Sequence, residues 1–277
     1  PEPEPEPEPE PGTEVTATPT IALPPETPAP APRPHYSDQV DAFAGAEFWF
    51  DALELKAKDG EEVGALPDKS NGANNASQVE DFSAARFAAS AVHGRPALHF
   101  PAEPPWKCYD TPRLPGGRRG QVTIAAVLQW ESRHDWATVA EFRHDEQYAV
   151  KRHGGKELCG LQTKGLCSNY FMGEKGEALN TPYVYTARYD GSSWKACLQE
   201  IGNASAKEAC TDGRGPMAIE GNGVLRIGGS SPGSGYCTDE AMGGWLSEFI
   251  VWPLAKTEEE MRAIKAALLG KKAQAVM

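Results

Sequence analysis

Aromatic residues and cysteines are missing from the first 34 residues of this 277-residue chain, although 13 of its 24 prolines stand there. A proline-rich segment without aromatic residues cannot bury a core. Five consecutive Pro-Glu repeats favour an extended polyproline II chain, stiffened by like charges, so residues 1–38 read as an acidic, disordered Pro/Glu-rich spacer. Residues 39–277 read as one domain, because they carry all seven Trp and all six Cys between alternating apolar runs.

Positive charge is also scarce: 27 Lys and Arg stand against 39 Asp and Glu, a formal net charge of −12. That balance excludes nucleic acid as the natural partner, since such binding requires neutralising phosphates. No apolar run approaches the roughly 20 residues of a membrane helix, so membrane insertion is excluded as well. The chain begins inside a repeat and without Met, which reads as a fragment or mature product of a larger polypeptide.

The six cysteines contain no CxxC pair, which disfavours zinc and thioredoxin-like chemistry and favours disulfides. Cys159 and Cys167 flank a short turn, and Cys197 and Cys210 stand symmetrically about Asn203-Ala204, so each pair reads as a hairpin staple. Cys108 and Cys237 remain, and pair by elimination. Two sequons, at Asn75 and Asn203, fall in turn-like stretches and are candidate glycosylation sites. Together these features point to an oxidising compartment, extracellular or at the cell surface.

Short apolar runs dominate the domain. Glu47 to Leu53 suits a buried strand, Ala97 to Phe100 another, and Val122 to Trp130 is rich in β-branched residues and apolar on both faces, which makes it central. Residues 138–143 with 147–152, and 183–189 turning at Asp190-Gly191-Ser192 into 194–198, read as hairpins. Residues 67–78 are turn formers, and 101–119 read as a long surface loop. Val224 to Gly229 and Met242 to Trp252 close the sheet pattern. A helix follows over 258–269, with a Thr257/Glu260 capping box and an apolar stripe of Met261, Ile264 and Leu268. The fold class expected is all-β, a two-sheet antiparallel sandwich with one short C-terminal helix.

Four motifs in order carry a family resemblance: Trp49-Phe50-Asp51-Ala52, Asp68-Lys69-Ser70-Asn71-Gly72-Ala73-Asn74, Gly94-Arg95-Pro96-Ala97-Leu98-His99-Phe100, and Gly244-Trp245-Leu246-Ser247-Glu248-Phe249-Ile250. Over residues 46–270 the chain resembles the LamG-like group of concanavalin A-like jelly rolls. It departs at Leu66-Pro67, where the pattern often carries Trp, and in its long basic 101–119 segment. The resemblance implies a jelly roll whose relatives bind glycans or extracellular proteins, sometimes with calcium.

The residues themselves offer little catalysis. Glycoside hydrolysis needs two carboxylates flanking the bond, and no strand carries a pair at alternate positions; Glu141 stands alone on its strand. Glu248 is expected to face a partner Arg or the outer surface and to serve the fold. Trp49, Trp130, Trp245 and Trp252 are assigned to the core. Asp68 and Asn71, with Ser70 and Asn74, offer oxygen donors for calcium, although the EF-hand position eleven residues after Asp68 is Val79. No cofactor is otherwise required. Trp106, Tyr109, Arg113, Tyr236 and Asp239 are the candidate ligand residues, because they lie in the two loops that Cys108 and Cys237 would join. The expected function is a non-catalytic module that recognises glycans or mediates adhesion. The alternative is an assembly subunit docking on extracellular protein partners, and a polysaccharide-cleaving enzyme ranks behind both.

Overall fold

In a computed structural model of the chain, the described residues are 42–79, 84–114, 120–132, 137–142, 147–153, 157–158, 162–163, 166–167, 178–214, 223–229, 237 and 241–270. All fall in the unit His35–Met277. The spacer assigned to residues 1–38 lies outside them, as do the Cys159 and Cys167 side chains, Tyr236 and Asp239.

Alternating apolar segments form two antiparallel sheets. The first has the order β16 (Ala209–Arg214), β15 (Ser193–Glu200), β14 (Pro182–Tyr189), β8 (Val122–Trp130), β18 (Gly244–Trp252), β6 (Arg95–Phe100), β5 (Ala85–Val92) and β2 (Glu62–Val63), and β1 (Phe48–Asp51) also pairs with β18. The second has the order β13 (Leu166–Cys167), β12 (Gln162–Thr163), β10 (Gln147–His153), β9 (Thr138–Phe142), β17 (Val224–Ile227), β7 (Tyr109–Arg113), β4 (Ala76–Gln78) and β3 (Ala65–Leu66), with β11 (Glu157–Leu158) beside β10. Helix α1 (Glu258–Gly270) follows the last strand. The protein is an all-β sandwich with one short C-terminal helix.

The first sheet is buried on both faces, and its sequence shows why. Along β8, Ile124, Ala126, Leu128 and Trp130 join the core between the sheets, while Ala125 and Val127 join a second apolar layer on the other side. The period of two in a strand sends alternate side chains to opposite faces, so only an apolar run such as Val122–Trp130 suits this position. Ile264 and Leu268 of α1 are fully buried in the second layer. The helix start is the reciprocal capping box expected from sequence: the Glu260 N–H donates to Thr257 Oγ1 at 3.2 Å and the Thr257 N–H to Glu260 Oε2 at 2.7 Å. At its other end the buried Arg95 guanidinium donates to the Leu268 carbonyl at 2.5 Å, covering an orphan acceptor of the last turn.

Strand β18 contains the decisive irregularity. Its register to β8 shifts between Leu246 and Glu248, which marks a bulge at Ser247. Leu246 and Phe249 both point into the inter-sheet core, a spacing of three that a regular strand cannot give. The extra residue turns Trp245 and Glu248 to the outer face. There the Trp49 indole N–H donates to Glu248 Oε1 at 2.8 Å, and Arg95 is electrostatically coupled to the same carboxylate. Burial pulls the Arg95 pKa down, while Glu248 and Asp51 oppose that shift. Glu248 thus serves the fold beside an Arg, as expected.

Several expectations need correction. The 101–119 segment is not all loop, since Tyr109–Arg113 forms β7, registered against β17 and β4. The turn-forming 67–78 stretch ends in strand β4, and the Ala-rich β5, with few β-branched residues, carried no strand signal. Trp130 and Trp252 are fully buried, but Trp49 and Trp245 are only half-buried, packed against the second apolar layer rather than enclosed within it.

Two disulfides lie among the described residues. Cys197 and Cys210 are direct cross-strand partners on β15 and β16, with Cα atoms 4.1 Å apart. Cys108 and Cys237 pair across 129 positions, with Cα atoms 6.1 Å apart. In the chain-entropy limit, closing so long a loop restricts the unfolded state by about 5 kcal/mol.

Truncating Ile264 to Ala is expected to destabilise the domain by about 2–5 kcal/mol through the cavity left under α1, measured by denaturant unfolding. A second expectation concerns the β14–β15 turn. The Asp190 carboxylate accepts from Ser193 Oγ at 2.6 Å, Ser193 N at 2.7 Å, Ser192 N at 2.8 Å and Ser192 Oγ at 2.9 Å. These bonds, those from Ser193 foremost, hold its pKa far below the ordinary aspartate value. A depressed carboxylate pKa stabilises the fold above the unfolded-state value of about 3.9 and loses that contribution as pH falls below it. Asp190→Asn should therefore lower Tm at pH 7, with the gap from wild type narrowing as the pH of the melt is taken below about 4.

Candidate functional site

A cleft that brings an aromatic ring together with ionisable groups opens at one end of the first sheet. Strands β6, β8 and β18 end side by side there. His99 of β6 and Trp245 of β18 are register partners, and their rings pack at a tilt of 38° with centroids 4.6 Å apart. Glu131, the residue after β8, accepts from the Trp245 indole N–H through Oε1 and meets His99 Nε2 at 2.8 Å through Oε2. One carboxylate therefore locks both rings in place. Its side chain keeps 37% of its surface exposed and that of His99 keeps 32%, so the cluster remains open to a ligand.

The rest of the cleft is built by turns. His99, Pro101, Ala102, Glu103, Glu131, Ser132 and Gly243 line a volume of about 280 Å³. Gly243 forms its floor with φ of +63°, and its carbonyl accepts the Glu131 and Ser132 N–H groups at 3.1 and 3.3 Å. A Cβ at Gly243 would meet Ser132 Oγ at 2.4 Å, so a side chain there would both strain the backbone and fill the space. The exposed Glu103 brings a second carboxylate to the same cleft.

The sequence-derived candidates are only partly brought together. Trp106 is half-buried, and its indole N–H donates to the Ala102 carbonyl at 3.3 Å, so it supports the loop that lines the cleft. Tyr109 is not an exposed platform: it is fully buried, accepts from the Ala85 N–H at 2.8 Å and donates to the Val63 carbonyl at 2.5 Å. Burial pushes its hydroxyl pKa well above the ordinary value, keeping it protonated for the core. Arg113 is exposed at the end of β7 opposite Val224. Tyr236 and Asp239 lie outside the described residues. Asn75 and Asn203 are both exposed; Asn75 Oδ1 accepts the Asp68 N–H at 2.8 Å, and Asn203 Nδ2 donates to Glu200 at 3.2 Å.

The Asp68–Asn71 loop does not fit calcium. Asp68 Oδ1 accepts from the N–H groups of Trp49 and Ser70 at 2.8 and 2.9 Å, and Oδ2 from Ser70 Oγ and the Asn74 N–H, both at 2.7 Å. Protein donors thus take the lone pairs a cation would need. The neighbouring positive charge is Lys69, whose Nζ lies 3.2 Å from Asp51 and 2.8 Å from Glu54. Burial lowers the Lys69 pKa, but those two carboxylates outweigh it and hold the ammonium above its ordinary value. Asn71 is exposed. Among the described residues, the single grouping of His, Cys or carboxylate ligands close enough for a metal is Cys197, Glu208 and Cys210, and its two sulfurs are joined in a disulfide.

Sequence reasoning missed the cleft for an identifiable reason. It sought two carboxylates on one strand, whereas Glu103 and Glu131 stand on separate turns that follow β6 and β8. It also placed Trp245 in the core from its apolar neighbours. The informative signal was Glu131, a carboxylate ending the strongest strand beside Trp130. A second charged row escaped in the same way. Glu141 is not isolated, because Arg226 of β17 is its register partner, and Arg226 makes a bidentate ion pair with Asp110 of β7 at 2.7 and 2.8 Å. Arg226 is fully buried, so this row holds three strands of the second sheet together.

No family model matches the chain, and no curated protein matches it by sequence. Solved structures of similar fold exist. An arabinofuranosidase complexed with arabinofuranosyl-α-1,2-xylobiose is similar over 84% of this chain and 64% of its own, with a TM-score of 0.58 and 10% identity. A GH54 α-L-arabinofuranosidase soaked with a cyclic sulfate inhibitor covers 83% and 60%, with a TM-score of 0.55 and 11% identity. Domain 4 of AbnA, a GH43 extracellular arabinanase from Geobacillus stearothermophilus in complex with arabinotriose, covers 76% of this chain and 100% of its own, with a TM-score of 0.51 and 11% identity. The chain spans about three fifths of the two arabinofuranosidases, and at these identities the likeness is one of fold. The expectation of a non-catalytic binding or adhesion module is overturned by these neighbours, which are carbohydrate-active enzymes or a domain of one.

Proposed function

We propose that this protein is a carbohydrate-active enzyme of the glycoside-cleaving kind, and that the cleft lined by His99, Glu103 and Glu131 is where it engages a glycan. The observation that carries this reading is one cleft lined by two carboxylates and by His99, whose ring packs against the half-buried Trp245 beside it. The rings offer apolar surface for a sugar's C–H groups, and the carboxylates offer the two groups that glycosidic cleavage uses. Glu131, fixed by an indole N–H and a histidine, suits the acceptor role of base or nucleophile, and Glu103 is the second carboxylate that lines the cleft. The two-sheet antiparallel architecture supports assignment to the concanavalin A-like jelly rolls, and the fold neighbours support a glycan as partner. The two disulfides support a secreted or surface location, and exposure of Asn75 and Asn203 is compatible with their modification there.

Sugar release from 4-nitrophenyl α-L-arabinofuranoside and a panel of polysaccharides tests the proposal. Glu131→Gln and Glu103→Gln are each expected to lower kcat by about 10²–10⁴-fold with the fold intact, whereas Trp245→Ala should chiefly raise KM. Absence of release by the wild-type protein from every substrate, or full activity in both glutamine variants, would refute it.

A further inference from the structure

Resting on that reading, we infer that the cleft selects a single neutral sugar residue, at a chain end or branch, and rejects acidic sugars. Two observations carry this. The first is size: the volume of about 280 Å³ bounded by the described residues lies just below the roughly 300–1,000 Å³ range of small-molecule sites, so the cleft seats about one ring and not a run of polysaccharide. The floor at Gly243 and the walls at Pro101 and Ala102 are backbone and short side chains, which leave no room to deepen it.

The second is charge. Among the described lining residues there is no Lys or Arg, while Glu103 and Glu131 both present carboxylates. Among the described lining residues His99 is the one group that can carry a positive charge, and it lies against Glu131 at 2.8 Å, so any charge it holds is matched there and the Glu103 carboxylate is left over. A uronic or sialic carboxylate entering this space would meet like charge, with no Arg fork among the described lining residues to recognise it. A neutral hydroxyl can instead donate to either carboxylate. Selectivity follows from the repulsive element as much as from the attractive one.

Calorimetric binding to matched pairs tests the inference: glucose and glucuronate glycosides, galactose and galacturonate glycosides, and an arabinan with its carboxymethylated form. The neutral member of whichever pair binds is expected to be favoured at least tenfold, about 1.4 kcal/mol, and Glu103→Gln should shrink that gap. Equal or tighter binding of the acidic member by the wild-type protein would overturn the charge selectivity while leaving the site assignment standing. Binding of no pair at all would remove the site itself, and the inference with it. Tighter binding of long oligosaccharides than of a single terminal residue would overturn the size limit.

Discussion

The structure depends on strand β18, whose two halves have different partners on one side. Residues 244–246 pair with β6, residues 248–251 pair with β1, and both halves pair with β8 on the other side. The last strand in the chain therefore joins the first strand to the centre of the sheet, and the bulge at Ser247 lies where the partner changes. Antiparallel pairing across such sequence separation carries a large loop-closure cost, which is recovered only when the dense apolar side chains of Gly244–Trp252 enter both layers at once. The Cys108–Cys237 bond anchors the chain just before this strand begins.

From this constraint the cleft follows. A bulge that turns Trp245 outward while Leu246 stays in the core sets the indole beside His99 on the neighbouring strand. Because β8 ends opposite Gly244, the next residue, Glu131, arrives within reach of both rings. Gly243 then ties the turn after β8 to the start of β18 through its carbonyl. Core packing, turn geometry and ligand-accessible chemistry are thus settled at one corner of the sandwich. Farther along the same face, α1 packs on the second apolar layer and Arg95 ties its last turn to β6.

Charged groups divide between two kinds of work. Arg226 with Asp110, Arg95 near Glu248, and Lys69 with Asp51 are buried or half-buried and bind elements to one another, and the exposed Glu54 adds a second partner to Lys69. Glu103 and Glu131 are accessible and face a cleft. The distinction is one of solvent access: a buried charge must be matched within the protein, whereas an exposed carboxylate beside an apolar surface remains available to an incoming hydroxyl.

By itself the sequence determined the class of fold, the central position of Val122–Trp130, the hairpin at Asp190, the capped helix, and the Cys197–Cys210 and Cys108–Cys237 pairs. These are legible because strand alternation, turn chemistry and capping act between residues near in sequence, and because assigning the other four cysteines to local hairpin pairs leaves Cys108 and Cys237 for each other. Tertiary structure alone decided the site. His99, Glu103, Glu131, Gly243 and Trp245 come from separate strands and turns, and nothing local to any of them marks it as functional. Tyr109 illustrates the converse: beside a disulfide in a polar segment it resembles a surface ring, yet the pairing of β7 with β17 and β4 turns it into the core. Which face a side chain takes depends on register, and register in a sandwich is set by partners that the local sequence does not contain.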